Sequence, residues 1–288
     1  MSLILAIGVM LALVYSPLLV WLGRTTVKTE QLNTGGVLVL FAIAICLRDA
    51  LETLRVKPNL NNYGLSLLFL GFACLWLAGR SPRGVLPLVL LSFCLSFAAI
   101  ISFLFGEIGV RRFLPALGGF LVFGLLVGLF PALDWPLREI AARFSGGVLK
   151  WMHMPVQVEV WMHKPPELVL QVPGRTFVVA TECNGFGLLT SSLLLATILG
   201  FQYRLAWVRK LGLVAFAIPT AIAANLLRIV TICLIAPRTT IRYDVIHEGV
   251  GTIFYVIGLV VVWYAAGEFV DKKRQGIEDR GSRTEKST

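Results

Sequence analysis

Long apolar stretches separated by short polar loops form most of this sequence. An α-helix needs about 17 to 25 apolar residues to cross the hydrocarbon core of a bilayer. Eight stretches are of this length: 3–22, 36–54, 63–79, 85–105, 113–133, 183–201, 211–236 and 245–266. We therefore predict an all-α polytopic membrane protein with about eight transmembrane helices.

The second of these helices is the least regular, because charged residues lie near its end. Arg48 and Glu52 are four residues apart there, so the two side chains are predicted to pair on one helix face. A slanted or interfacial helix at this place would change the number of spans.

A different pattern occupies residues 134–182. It begins with Trp135 and Pro136, which we interpret as a break, followed by amphipathic helical spacing over 137–151 that is typical of an interfacial helix. From 156 to 162, apolar residues at the even positions alternate with Gln157, Glu159 and Trp161, which indicates a strand. Further strands are predicted at 168–172 and 176–181, joined by a Pro173-Gly174 turn. A small β-meander between helices five and six is the expected result.

These patterns divide the chain into four regions. Residues 1–133 form the N-terminal transmembrane helices, 134–182 the extracytoplasmic amphipathic helix and short strands, 183–266 three further transmembrane helices, and 267–288 a charged tail. Excess Lys and Arg mark cytoplasmic segments. The tail is rich in both, at Lys272, Lys273, Arg274, Arg280, Arg283 and Lys286. We expect a multi-pass protein of the cell inner (plasma) membrane, with both termini cytoplasmic.

Composition agrees with this prediction. A mean hydropathy of +0.81, with 57% hydrophobic and 15% charged residues, excludes a soluble domain of this length. The formal net charge of +10 is explained by topology and lipid headgroup contact rather than nucleic-acid binding, because basic and stacking aromatic residues are not interleaved on a polar surface. Four of the five cysteines, Cys46, Cys74, Cys94 and Cys233, lie inside apolar runs and are interpreted as small core residues.

Three reactive or strongly polar residues stand out in the last three apolar segments: Cys183, Arg228 and His247. Such residues in a membrane segment indicate a functional site. The start of helix six, the end of helix seven and the start of helix eight lie on the same side of the membrane by parity. We therefore expect the three side chains to meet at one membrane face, which is extracytoplasmic if the tail is inside.

The three residue types suit thiol chemistry. A helix N-terminus and a nearby cation lower the pKa of a cysteine, although Glu182 would oppose this shift at Cys183. His247 can accept and return protons, and Arg228 carries a permanent charge and a rigid fork of donors suited to an oxyanion or a carboxylate.

Asn225, Asn184 and Gly185 are candidate supporting residues. Asn225 lies three residues before Arg228 on the same helical face and can orient its guanidinium or add a donor. Asn184 and Gly185 follow the cysteine directly, and a glycine there leaves the thiol uncrowded for a peptide backbone.

Residues 156–263 resemble the exosortase and archaeosortase family of membrane-embedded cysteine proteases and transpeptidases. The resemblance rests on Thr181-Glu182-Cys183-Asn184-Gly185 opening a helix, on the segment from Pro219 to Val230 that ends Asn225-Leu226-Leu227-Arg228-Ile229-Val230, and on His247 opening the last helix. It implies Cys183 as nucleophile, Arg228 as stabiliser of the thiolate or transition state, and His247 as general acid and base. The implied substrates are membrane-anchored proteins with a C-terminal sorting signal: a short motif often containing Pro-Glu-Pro, a transmembrane helix and a basic cluster. No cofactor is expected.

Two other functions remain open. A non-enzymatic transporter or assembly protein for an envelope polymer could use Arg228 to bind an anionic headgroup or sugar phosphate. A metal-handling membrane protein could use the repeated Trp-Met-His at 151–153 and 161–163, because Met152, His153, Met154, Met162 and His163 are soft ligands of the kind that copper sites use.

Overall fold

A computed structural model describes residues 2–54, 56, 58–81, 84–162, 166–179 and 183–285, with side chains for those between 5 and 269. Seven α-helices and three strands lie in this part of the chain. The helices are α1 (Ser2–Lys28), α2 (Glu30–Thr53), α3 (Asn62–Arg80), α4 (Val85–Trp151), α5 (Phe186–Gln202), α6 (Trp207–Ile235) and α7 (Tyr243–Glu285); the strands are β1 (Gln157–Trp161), β2 (Glu167–Val172) and β3 (Arg175–Val178). The prediction of an all-α polytopic protein with a small β-meander is confirmed.

The connection within α4 differs from the prediction. The helices predicted at 85–105 and 113–133 are both present, but they follow each other across a kink at Gly106, with φ 72°, instead of being separated by a loop. A positive φ is open to glycine at little cost, so the chain changes direction there without a loop. Six helices in the described residues are long and apolar enough to cross a membrane, and α5, with 17 residues, is slightly shorter.

The break predicted at Trp135 and Pro136 is wrong, because α4 continues through both residues to Trp151. Proline is tolerated in a membrane helix where other groups compensate for the lost backbone hydrogen bond. Asp134 and Arg138 form an ion pair one turn apart across this proline, which holds the turn together. The pairing predicted for Arg48 and Glu52 in α2 is confirmed, with 2.7 Å between Nε and Oε1.

The chain forms two compact units. The first comprises Met1–Gly128 and Thr197–Leu205. Its core contains Tyr15 of α1, whose hydroxyl lies 2.5 Å from Ser92 Oγ and 3.1 Å from Ser96 Oγ of α4. Cys46 and Cys94 are buried in this unit, and Cys74 is half-buried. All five cysteines, including Cys183 and Cys233, are free thiols.

The second unit comprises Leu129–Ala196 and Ala206–Thr288 and holds the sheet. The strands pair antiparallel in the order β1-β2-β3, with Val158 opposite Leu170 and Leu170 opposite Phe177. These apolar side chains pack in one cluster with residues of α4, α6 and the start of α7. The opposite face is polar: Glu159 accepts hydrogen bonds from Trp161 and Gln171. Val158 thus faces the cluster as predicted for the apolar positions of β1, whereas Val160 is exposed to 45%.

Candidate active site

Cys183 lies between the sheet and α5. Strand β3 ends at Val178, residues 180–182 lie outside the described part of the chain, and α5 begins at Phe186 rather than at Cys183 as predicted. The reason for the later start is Asn184, whose side-chain oxygen accepts a hydrogen bond from the Phe186 N–H at 2.7 Å and so satisfies a donor at the helix N-terminus. The thiol therefore precedes the first turn of α5.

His247 and Arg228 reach the thiol from two other helices. Cys183 Sγ lies 3.3 Å from His247 Nε2 in the second turn of α7. The Arg228 Nη2 atom, from the last third of α6, lies 3.0 Å from the same imidazole nitrogen. All three side chains are half-buried. The structure therefore brings together the three residues singled out in the sequence, with His247 Nε2 as their common point.

Asn225 holds the backbone of this site rather than the arginine fork. Its side-chain N–H donates to the Cys183 carbonyl oxygen at 3.0 Å. Gly185, with φ 77°, lies so close that a Cβ atom there would be 2.6 Å from Asn225 Cγ. A glycine is thus required for both backbone conformation and space, a different reason from the uncrowded thiol expected from sequence.

Two residues of α7 that the sequence did not single out border the site. Gly251, one turn after His247, lies against the Arg228 side chain: a Cβ atom there would be 3.1 Å from Cζ, Nε and Nη2. The Tyr243 ring, one turn before His247, lies 5.6 Å from the imidazole ring at an interplanar angle of 34°. Both follow the i, i+4 spacing from His247, which is the signal in the sequence that would have found them.

Asp134 and Arg138 are further residues that sequence reasoning missed. The Asn184 side-chain N–H donates to Asp134 Oδ1 at 2.6 Å, and the Asp134 carboxylate pairs with Arg138. Asn184 itself is buried, with 3% of its surface exposed. An acid and a base four residues apart in an otherwise apolar stretch were the available signal. The Asn184 side chain therefore connects α4 to the chain directly after Cys183.

The thiol opens onto a small apolar cavity. Its lining includes Cys183, Phe177 and Tyr243, together with Leu170, Val179, Ile229, Ile232 and Cys233. Cys233 is buried in its wall, which agrees with the core role expected for it. The surroundings of the thiol are therefore largely apolar, and polar groups reach it through His247, Arg228 and Asn225.

The residues of the metal hypothesis are mostly at the surface. Met152 is exposed to 43% and Met162 to 88%, and His153 has a positive φ of 62° in the turn after α4. His163 lies outside the described residues. In the part of the chain that the structure describes, no group of three or more His, Cys, Asp or Glu side chains has the arrangement of a metal site.

Fold and site together define a polytopic membrane protein in which a thiol, an imidazole and a guanidinium meet at the ends of helices. Residues 21–264 match the family model of the transmembrane exosortases (Exosortase_EpsH), and the chain belongs to that family, as the resemblance predicted. No curated protein and no solved structure matches it. Family membership supports a role of the membrane transpeptidase or protease kind.

Proposed function

We propose that this chain is a membrane-embedded cysteine peptidase or transpeptidase that cleaves C-terminal sorting signals from exported proteins. Cys183 is the nucleophile, His247 the general acid and base, and Arg228 the cation that stabilises the oxyanion. The observation that carries the proposal is the 3.3 Å separation of Cys183 Sγ and His247 Nε2. A nucleophile within hydrogen-bonding reach of a base is the arrangement that covalent catalysis requires.

Arg228 and Cys183 share one atom of His247, and this constrains the resting state. A neutral imidazole has a single lone pair, so Nε2 accepts a hydrogen bond from either the guanidinium or the thiol. Nε2 becomes available as the base for Cys183 when the Arg228 guanidinium turns toward a substrate carbonyl. Substrate binding would thus switch the imidazole from the arginine to the cysteine.

The first half of the reaction forms a thioester. The thiol proton passes to His247 Nε2 as Sγ attacks the peptide carbonyl carbon, and the resulting oxyanion is stabilised by the Arg228 fork. His247 then gives the proton to the leaving nitrogen as the C–N bond breaks. The C-terminal helix and tail of the substrate depart with a free amine, and the rest stays on Cys183 as an acyl group.

The second half releases that acyl group. Water or an acceptor amine attacks the thioester carbonyl and loses a proton to His247. The C–S bond breaks, and the proton returns to the departing sulfur. Water as the acceptor gives a peptidase, whereas an amine gives a transpeptidase.

The substrate is proposed to be a membrane-anchored protein with a tripartite tail of short motif, transmembrane helix and basic cluster. Its helix would dock laterally from the bilayer while chemistry proceeds at the extracytoplasmic surface of the inner membrane. The basic tail after 267 supports this orientation, because cytoplasmic segments carry excess Lys and Arg.

The test is substrate trimming in a strain that carries Cys183→Ala. A co-expressed reporter with a tripartite tail should shift on a gel with the wild-type protein and remain full-length with Cys183→Ala. Cys74→Ala is the matched control, because it makes the same chemical change at a half-buried cysteine of the other unit and should leave trimming intact. Trimming that persists with Cys183→Ala would disprove the proposed mechanism.

The same experiment separates the enzyme from the transporter. A transporter that uses Arg228 to bind an anionic group does not need the thiol, so polymer export would survive Cys183→Ala. If the protein is the enzyme, Cys183→Ala should abolish reporter trimming and also the phenotype that depends on trimming. A transporter is not expected to lose either one.

A further inference from the structure

Arg175 is a cation placed one aromatic ring away from the proposed catalytic histidine. It opens β3, and its guanidinium carbon lies 4.8 Å from the Tyr243 ring centroid and 5.5 Å from that of Phe177. The Tyr243 ring lies in turn against His247. Arg175, Tyr243, His247 and Cys183 therefore form a continuous series of contacts from the sheet to the thiol.

The charge of Arg175 is not neutralised by the described part of the chain. No carboxylate of the described residues forms an ion pair with Arg175. By contrast, Arg242, which precedes Tyr243 in the sequence, pairs with Asp244 at 3.0 Å. Arg175 is exposed. Stacking on aromatic rings uses the flat face of a guanidinium and leaves the donors at its edge available.

A second guanidinium reinforces this charge. Tyr243 lies within electrostatic range of both Arg175 and Arg228, as well as of Cys183. Two arginines near one ring, Arg175 exposed and Arg228 half-buried, create a positive potential beside the site. A group of opposite charge on the substrate would be attracted there, and a planar carboxylate matches the edge of a guanidinium in geometry as well as charge.

We propose that Arg175 binds a carboxylate in the polar segment of the substrate just outside its transmembrane helix, close to the bond that Cys183 attacks. This contact makes the site selective for acidic segments. The inference rests on the proposed function, which it deepens by naming a specificity-determining residue. Arg175 takes no part in the bond-making steps: it fixes the register of the substrate chain relative to Sγ.

The test uses membrane-anchored reporters in lipid nanodiscs. One set carries a single glutamate at successive positions of the polar segment just outside the reporter's transmembrane helix, and the matched set carries glutamine. Cleavage rates are measured for the wild-type protein, Arg175→Gln and Arg242→Gln. The last variant is the control, because Arg242 is an exposed, ion-paired arginine next to Tyr243 in the sequence.

We expect a preference of about tenfold or more for the glutamate reporter at one position, the usual effect of a charge-assisted hydrogen bond. Arg175→Gln should bring that ratio close to one, and Arg242→Gln should leave it unchanged. A ratio that survives Arg175→Gln would overturn the proposal. So would a variant that slows both reporters equally, which indicates a structural role for Arg175.

Binding to the Cys183→Ala protein keeps this inference distinct from the proposed function. If neither reporter is cleaved by the wild-type protein, the peptidase proposal fails, yet the ratio of the two reporters' affinities for Cys183→Ala still decides the role of Arg175. A lipid phosphate is the other source of an anion for this arginine. An effect of anionic lipid that is equal for both reporters would place lipid there and exclude the substrate carboxylate.

Discussion

The Arg228 side chain lies directly against the backbone of Gly251, one helical turn beyond His247. A methyl group at Gly251 would be 3.1 Å from three atoms of the guanidinium group: Cζ, Nε and Nη2. Contacts this short force one partner to move. The absence of a side chain at residue 251 therefore leaves room for the guanidinium in the position from which Nη2 lies 3.0 Å from His247 Nε2.

Gly251→Ala should displace Arg228 and slow substrate cleavage, with little effect on stability, because the surrounding helix gains a better helix former. We expect a loss of about tenfold or more in kcat/KM, since a small misplacement of a catalytic group is costly. Steady-state cleavage of a tailed reporter measures it. Gly249→Ala is the matched control on the same helix, with no heavy atom within 4 Å of the added methyl group. Equal losses in the two variants would contradict a specific role for the contact.

Arg228→Lys keeps the charge at the site and removes the fork of donors. We expect cleavage to fall about 100-fold, the order of effect seen when one donor to an oxyanion is removed. The reaction of Cys183 with a thiol reagent checks that the site remains folded. If Arg228→Lys retained full activity, charge alone would suffice, and a bidentate role for the guanidinium would be wrong.

Most of the fold could be predicted from the sequence, because a helix that crosses a membrane needs an apolar stretch of a fixed length. Apolar length alone located the spanning segments, and period-two alternation located β1 in a polar connection. The continuity of α4 through Pro136 was missed because proline is a reliable breaker only where water competes for the backbone. A helix end was predicted at residue 105, but the loop expected before residue 113 is replaced by a kink at Gly106, because glycine adopts a positive φ at little cost.

The candidate site was predictable only in part, for a related reason. Cys183, Arg228 and His247 are conspicuous in apolar surroundings, and parity alone placed them on one side. Asp134, Gly251 and Tyr243 act through pairwise contacts that depend on how helices are rotated about their axes. Periodicity shows which residues share a face of one helix, but not which face of another helix they meet.

Gly185→Ala tests the packing beneath the thiol. The added Cβ would meet Asn225 at 2.6 Å, and a φ of 77° is itself unfavourable for alanine. Gly174→Ala separates these two causes, because Gly174 has φ 83° but open space around it. We expect a cost of about 1 kcal/mol from backbone strain alone at Gly174 and a clearly larger cost at Gly185. Thermal unfolding in detergent measures both.

Replacing Asn225 by alanine in the Gly185→Ala background should recover part of that loss, because the contacts with Cγ and Nδ2 disappear and only the one with Cβ, at 2.9 Å, remains. Two residues in contact should show such non-additivity, whereas independent sites would give additive losses. Additive losses in the double variant would show that strain, and not contact with Asn225, explains the requirement for glycine.

Asp134→Asn tests whether the Asp134–Arg138 ion pair of α4 supports the thiol through Asn184. The substitution keeps the shape of the side chain but removes the charge that accepts from Asn184 and pairs with Arg138. Both members of this pair are largely buried, with 17% and 21% of their side-chain surfaces exposed, so we expect a loss of about 1 to 3 kcal/mol in stability. Glu139→Gln is the control, because it breaks the Arg143–Glu139 pair, whose side chains are 72% and 40% exposed, and exposed pairs contribute little. Asp134→Asn should lower both the unfolding temperature and the cleavage rate, since Asn184 adjoins Cys183, while Glu139→Gln should change neither. A normal cleavage rate in a destabilised Asp134→Asn protein would mean that the pair stabilises the fold without positioning the cysteine.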